Sequence, residues 1–205
     1  MPRPKQFDEA TVLERARDLF WERGYTATSI GDLEEHLGVS RSSLYQTFGG
    51  KRALYDRTLA AYQHENQTRL RLLLRDTDDL RATLTDLFVN TAAQHYPNCH
   101  TRARGCYVVN ATTEMANACT EAFRFVADNR ERFVAVLTDA LARARVQGQL
   151  RIAGDDGLAE LANYLFVCYN GLQVVVQTGI PRPELVAAMR RSLEALPWTP
   201  NPSAE

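Results

Sequence analysis

Two short helical patterns joined by a glycine constrain this chain more than any other feature. Both patterns lie within residues 28–54, where Gly38 separates them and a Gly-Gly pair closes the second. Thr28 or Ser29 can cap the first predicted helix, and Ser40 can cap the second, because their side chains accept hydrogen bonds from free backbone N–H groups. This arrangement predicts a helix-turn-helix, which reads DNA by placing its second helix in the major groove.

The second predicted helix presents a polar surface suited to base edges. Leu44 and Phe48 face inward at helical spacing, and Lys51 and Arg52 follow where they can grip phosphate. The outward side chains supply both donors and acceptors: Arg41, Ser42, Ser43, Tyr45, Gln46 and Thr47. Taken alone, the same pattern also fits a helical corner in a protein that never meets DNA.

An upstream helix completes an N-terminal unit. Asp8 can cap its start, and Gly24 ends it. We therefore predict an all-α chain with a three-helix DNA-binding domain over residues 1–50. A larger ligand-binding and dimerisation domain is predicted over residues 51–205, since helical patterns continue there and no convincing strand or internal repeat is visible.

The run ARDLFWERGYTATSIGDLEEHLGVSRSSLYQTFGGKRAL, within residues 13–54, resembles the DNA-binding domain of the tetracycline-repressor (TetR/AcrR) family of bacterial regulators. The resemblance implies that Thr28, Tyr45 and Lys51 touch the DNA backbone. Ser29 and Ser40, at the two helix starts, are also candidate DNA contacts. It also implies a homodimer, a palindromic double-stranded operator and a small-molecule effector as partners. One departure is Gly50, where many members have a serine, and it is expected to cost the next helix a cap.

Two C-terminal helices, within residues 155–196, are predicted to form the dimer interface, while residues 51–76 form a connecting helix. Residues 161–181 contain no charge, yet their amides and a central glycine favour a buried helix over a membrane span. A partner chain would cover such a helix, although a monomer with a well-filled core remains the alternative. The last helix carries an apolar stripe that we expect at the same interface: Leu185, Val186, Met189, Leu193 and Leu196.

The larger domain is expected to enclose an effector cavity. Asparagines recur on apolar helix faces there, and buried amides must find hydrogen-bond partners, either in neighbouring backbone or in a ligand. The predicted lining is aromatic and weakly charged, which favours an apolar or aromatic effector. Its candidate residues are Phe88, Cys106, Tyr107, Asn110, Phe133, Asn163, Phe166, Val167 and Asn170.

Cys106 supports an alternative, a repressor that senses oxidants or electrophiles. The residue lies at a predicted helix start near Arg102 and Arg104, and both features favour thiolate. Cys99 is a possible resolving partner. The competing interpretation is that Cys106 is an ordinary buried residue, whose pKa burial would raise.

Other function classes find little support. The net charge of −1 argues against nonspecific nucleic-acid binding, although residues 38–57 are locally basic. Neither a catalytic motif nor a cofactor motif is visible, so we predict no enzyme and no cofactor. His95, Cys99 and His100 lack a second ligand pair, and no metal is predicted.

With no secretory signal, a cytoplasmic location is expected. A helical dimer that binds ligand without reading DNA is the remaining alternative. The proline-rich tail after Leu196 is expected to fray.

Overall fold

The computed structural model describes residues 7–94, 103–115 and 120–200. This part of the chain is all-α, as predicted, and its helices are α1 (Glu9–Arg23), α2 (Ile30–Leu37), α3 (Arg41–Phe48), α4 (Lys51–Arg75), α5 (Leu80–Gln94), α6 (Tyr107–Met115), α7 (Thr120–Val146), α8 (Gly154–Val175) and α9 (Arg182–Glu194). A short 3-10 turn, Val176–Thr178, extends α8.

Local capping sets the ends of the first helices. The Asp8 carboxylate accepts a hydrogen bond from the backbone N–H of Thr11, 2.8 Å away, at the start of α1. Ser29 and Asp32 form a reciprocal capping box at the start of α2. Gly38 ends α2 in a left-handed conformation with φ of 68°, so the chain turns directly into α3.

These helices share one hydrophobic core, which we call the N-terminal core. Arg15 of α1 donates to the backbone carbonyls of His36 and Leu37 at the end of α2, which fixes the two helices together. The core is built from Val12, Ala16, Leu19, Phe20, Leu33, Leu37, Val39, Leu44, Phe48, Leu54, Tyr55, Leu59, Tyr107, Ala111 and Met115.

A second cluster, which we call the larger core, fills the rest of the molecule. Helices α5, α7, α8 and α9 pack around it, with Leu84, Phe88 and Leu141 among its most deeply buried side chains. The described part of the tail, residues 197–200, is held in place rather than frayed. The backbone N–H of Thr199 donates to the carbonyl of Gln149 at 2.8 Å, and Trp198 Nε1 donates to the carbonyl of Leu193 at 2.7 Å.

Helix α4 connects the two cores. Its first half gives Leu54 and Leu59 to the N-terminal core, and its second half gives Leu70 and Leu74 to the larger core. Helix α6 also packs into the N-terminal core through Tyr107. A division of the chain at residue 50 therefore stays a prediction, and it would separate residues that share a core. Within the described residues, no helix is long and apolar enough to span a bilayer.

Candidate DNA interface and ligand cavity

Helix α3 presents the polar surface that the sequence predicts. Arg41, Ser42 and Gln46 are exposed, as is Tyr45, while Ser43 and Thr47 are half-buried. On the opposite side Leu44 is fully buried in the N-terminal core. The helix therefore has one side fixed by packing and another free to meet a groove.

The start of α3 is held from two directions. The Ser40 hydroxyl accepts from the backbone N–H of Ser43 at 3.2 Å, which is the predicted cap. A carboxylate oxygen of Glu34, on α2, accepts from the backbone N–H of Arg41 at 2.6 Å. Two of the free N–H groups of this helix are thus already paired, so the helix keeps a fixed position relative to α2.

Two of the candidate DNA contacts, Thr28 and Ser29, form hydrogen bonds inside the protein. Thr28 is fully buried, and its hydroxyl donates to the carbonyl of Gly24 at 2.6 Å. Its side chain is not exposed in this conformation, and a DNA contact of Thr28 stays a prediction. Ser29 is exposed, but its hydroxyl serves the capping box with Asp32.

Lys51 contacts the turn after α1, and the sequence did not indicate this contact. Its ammonium is 4.2 Å from the centroid of the Tyr25 ring, a cation–π contact. Glu114 of α6 reaches the same turn, where it accepts from the backbone N–H groups of Tyr25 at 3.0 Å and Thr26 at 2.7 Å. Sequence reasoning missed Glu114, because nothing in its neighbourhood marks a partner almost ninety residues away.

The pKa of Glu114 follows from these contacts. Burial raises it, but the hydrogen bonds from Thr26 and Tyr25, together with the charge of Lys51, outweigh burial and lower the pKa below its usual value. Glu114 is therefore a charged link between α6 and the entrance to the helix-turn-helix.

The glycine that departs from the family pattern has a structural reason. Gly50 has φ of +112°, and a Cβ there would lie 3.0 Å from the Tyr45 ring. The absence of a side chain lets Tyr45 lie against the turn between α3 and α4. As predicted, α4 begins without a side-chain cap.

Intramolecular pairs reduce the local positive charge that the sequence indicated. Arg52 forms an ion pair with Asp56 at 2.9 Å, and Arg57 lies 3.5 Å from a carboxylate oxygen of Glu9. Arg41 is exposed on α3 itself, with its guanidinium 5.8 Å from the Tyr45 ring centroid. It is the cation best placed beside the polar surface of that helix.

A cavity of about 530 Å³ lies where α4, α5, α7 and α8 meet the start of α6. Of the predicted lining residues it contains Cys106, Phe133, Phe166 and Asn170. The ring of Phe133 lies 5.5 Å from that of Phe166 and 5.2 Å from that of Tyr169, measured between centroids. These rings give the cavity an aromatic wall.

The other predicted lining residues are elsewhere. Phe88 is buried in the larger core behind Tyr169, and Tyr107 is buried in the N-terminal core, where its hydroxyl shares a hydrogen bond with Thr58. Val167 is 66% exposed. Helical spacing identified one apolar face of α8, but the direction of that face depends on packing that spacing does not contain.

The predicted asparagines mostly bond to neighbouring backbone or side-chain groups, which is the alternative to binding a ligand. The side-chain N–H groups of Asn163 and Asn170 each donate to the backbone carbonyl four residues earlier, at 2.8 Å. Asn110 donates to the carbonyl of Arg104 at 2.8 Å and accepts from Gln177, outside the cavity. Only Asn170 of the three lines the cavity.

The cavity is more polar than the sequence indicated, and it extends to the first helix. Amide and hydroxyl side chains come from α4 and α5, including Gln63, Gln67 and Thr91. Arg17 and Trp21 of α1 also contribute to the lining. These residues were missed because helical periodicity classified α1 as part of the DNA-binding domain alone.

Cys106 does not have the environment expected of a reactive thiol. Burial raises its pKa, and the hydrogen bonds from the backbone N–H groups of Val109 and Val108 at the start of α6 do not offset that effect. The hydroxyl of Tyr62 donates to its sulfur at 3.8 Å. The prediction of a favoured thiolate is wrong, and Cys99 lies outside the described residues.

The described residues contain no group of three or more side chains able to hold a metal ion. His95, Cys99 and His100, the cluster considered from the sequence, lie outside those residues.

Helix α8 carries an exposed apolar face. Tyr164, Val167 and Val174 are 42%, 66% and 44% exposed, and their spacing places them on one side of the helix. The stripe on the last helix behaves differently from our expectation. Leu185, Leu193 and Leu196 are buried, and Val186 and Met189 pack against the larger core, because α9 packs its stripe against α5 within the same chain.

A capped helix-turn-helix joined by one long helix to a larger helical body is the architecture of a DNA-binding transcription regulator. The model for bacterial regulatory proteins of the tetR family matches residues 12–58. The chain belongs to the TetR family.

Relatives extend the match beyond the DNA-binding region. An uncharacterised HTH-type transcriptional regulator of Bacillus subtilis, YezE, is 33% identical over 80% of this chain and 84% of its own length. The HTH-type transcriptional repressor ComR of Escherichia coli is 26% identical over 95% of this chain and 91% of its own. These relatives are transcription regulators and not enzymes.

A solved structure supports the same fold. A cysteine mutant of the TetR family regulator CifR, complexed with a 26-base-pair double-strand operator DNA, is 31% identical to this chain. The match has a TM-score of 0.81 and covers 95% of this chain and all of the other.

Proposed function

We propose that this protein is a ligand-responsive repressor that binds a palindromic operator as a homodimer. The observation that carries the proposal is the surface of α3, where Arg41, Ser42 and Gln46 are exposed above a fixed, capped helix start. A helical protein that had lost DNA reading would have no need for this surface. The operator complex of CifR and the repressor ComR support the choice of DNA and of repression.

The exposed face of α8 favours a dimer. Val167 and Val174 leave apolar surface in water, and a second copy of the chain would cover it through two-fold symmetry. Two recognition helices would then contact two half-sites, which one short helix needs in order to select a site in a genome.

Regulation is proposed to act through α4, because this helix belongs to both cores. A ligand in the cavity contacts the middle of α4 and changes the separation of the two α3 helices, which releases DNA. Such coupling requires that the ligand bind the released conformation more tightly than the DNA-bound one.

Selection from a random double-stranded library, followed by fluorescence anisotropy, tests the proposal. We expect an inverted repeat. Gln46→Ala should change the preferred bases, whereas Tyr45→Ala should weaken binding to all sequences similarly, by about tenfold. Val146→Ser is the control, because Val146 is 85% exposed at the end of α7. Failure to enrich any sequence would contradict the proposal.

A further inference from the structure

The wall of the cavity includes two nitrogen donors that lack hydrogen-bond acceptors. Gln67 is only 7% exposed, and its Nε2 has no hydrogen-bond partner within the described part of the chain. The same holds for Nε of Arg17. Both residues line the cavity. An unpaired buried donor is costly, and in native proteins such a group usually has a partner in the protein, in water or in a bound molecule.

The unpaired state is specific to Gln67 among the glutamines of α4 that line the cavity. Gln63 lies one turn earlier on the same face, and its Nε2 donates to the side-chain oxygen of Asn129 at 3.2 Å. Of these two amides on α4, that of Gln63 is hydrogen-bonded, and the Nε2 of Gln67 has no acceptor among the described residues.

The charges around the cavity favour a neutral molecule. Arg17 has Glu65 at 3.6 Å and Asp18 at 3.7 Å, and Arg69 donates to Asn66. The charged lining residues are two arginines, one aspartate and one glutamate, so no net charge faces the ligand. A carboxylate would lose its hydration without a net electrostatic attraction to the lining.

The aromatic wall supplies the remaining recognition. Phe133, Phe166 and Tyr169 come from α7 and α8, while Gln67 comes from α4. A volume of about 530 Å³ accommodates a molecule of two fused rings with a short substituent.

We propose that the cavity selects a neutral aromatic compound bearing a carbonyl oxygen, which accepts a hydrogen bond from Gln67. Its ring system packs on the aromatic wall. The ligand also lies against Trp21 and Arg17, and so contacts the first helix of the DNA-binding unit directly as well as α4. This inference rests on the proposed function and assigns the chemical class of its effector.

Calorimetric titration with two shape-matched probes tests the inference. The first is naphthyl methyl ketone, and the second is isopropenylnaphthalene, in which a CH2 group replaces the carbonyl oxygen. Wild-type protein should bind the ketone about tenfold more tightly, as expected for one additional buried hydrogen bond. Gln67→Leu should abolish that preference, because it weakens the binding of the ketone and leaves the binding of the alkene unchanged.

Gln63→Leu is the matched control, because its amide is already paired and its removal should leave the preference intact. Gln67→Met, which keeps the length of the side chain, replaces the leucine variant if thermal unfolding shows that the latter does not fold. The inference would be overturned if wild type bound the two probes equally or bound neither. It would also be overturned if the Gln67 variants still preferred the ketone.

Operator binding, measured separately without probe, distinguishes this failure from that of the proposed function. A protein that binds its operator but does not distinguish the probes overturns the inference alone. A protein that prefers the ketone but binds no DNA overturns the proposed function alone.

Discussion

Helices of the N-terminal core and helices of the larger core differ in how their first turns are held. Each of α1, α2 and α3 begins with a side-chain cap, from Asp8, Ser29 and Ser40. Helices α8 and α9 begin without one, and the cavity beside α8 contains the unpaired amide of Gln67. The caps hold the helix-turn-helix in one conformation, whereas the cavity has polar groups, on Gln67 and on Arg17 of α1, that a ligand can satisfy.

Within the N-terminal core, aromatic rings join α1 to α4 and α6. Trp21 of α1 lies 5.1 Å from Tyr62 of α4 and 5.9 Å from Tyr107 of α6, and Tyr55 lies 6.0 Å from Tyr107, all between ring centroids. Burial is the main cause that raises the pKa of each of these tyrosines, which keeps them neutral. A displacement at the start of α6 would therefore act on α1 through these packed rings.

The largest expected effect concerns the face of α8. Val167→Glu places a charge where the proposed partner chain would bury it, at a cost of about 3 kcal/mol or more. We expect a monomer by sedimentation and a loss of operator binding of at least 100-fold. Val146→Glu adds the same charge at an exposed valine on α7 and should change neither. If the Val167→Glu variant still forms a tight dimer, the interface lies elsewhere on the molecule.

A matched pair of leucines compares the two cores. Leu33 and Leu84 are both fully buried, one in each core, and each replacement by alanine should cost roughly 2 to 5 kcal/mol in urea unfolding. Leu33→Ala should weaken operator binding more, because α2 supports the start of α3. Equal losses of DNA affinity at equal stability would show that the cores do not act separately.

A smaller effect is expected where α6 meets the helix-turn-helix. Glu114→Gln removes the charge that accepts from Tyr25 and Thr26, and should cost about 1 kcal/mol in view of its exposure. Because the pKa of Glu114 is lowered in the folded protein, this stability is present above the ordinary glutamate pKa and disappears as pH falls through the lowered value.

Urea unfolding of wild type and Glu114→Gln across the acid range measures that difference. The gap between the two proteins should be full at neutral pH and close below about pH 4. Glu131→Gln, at an exposed position on α7, is the control and should show no gap at any pH. A gap that is the same at acid and neutral pH would contradict the role of the charge.

The smallest effect is expected at Cys106. Its raised pKa predicts that iodoacetamide modifies it more slowly at neutral pH than in the urea-unfolded chain, with a rate that increases only at alkaline pH. Site-resolved mass spectrometry measures this rate. Modification in the folded protein as fast as in the unfolded one would restore the electrophile-sensing alternative.

The sequence by itself determined the local structure around the helix-turn-helix. Ser29, Gly38 and Ser40 act on groups within four residues of themselves, so their roles can be read from spacing alone. The polar surface of α3 was predictable for the same reason, since Leu44 and Phe48 fix which side faces inward.

Only the tertiary structure decided the features that depend on distant segments. The contact of Glu114 with the turn after α1, the burial of Thr28 and the reach of the cavity to Arg17 were not visible in the sequence. The bridge between Leu150 and Trp198 that holds the tail was not visible either. Helical periodicity defines a buried face but not the neighbour that covers it, because that choice is made by long-range packing.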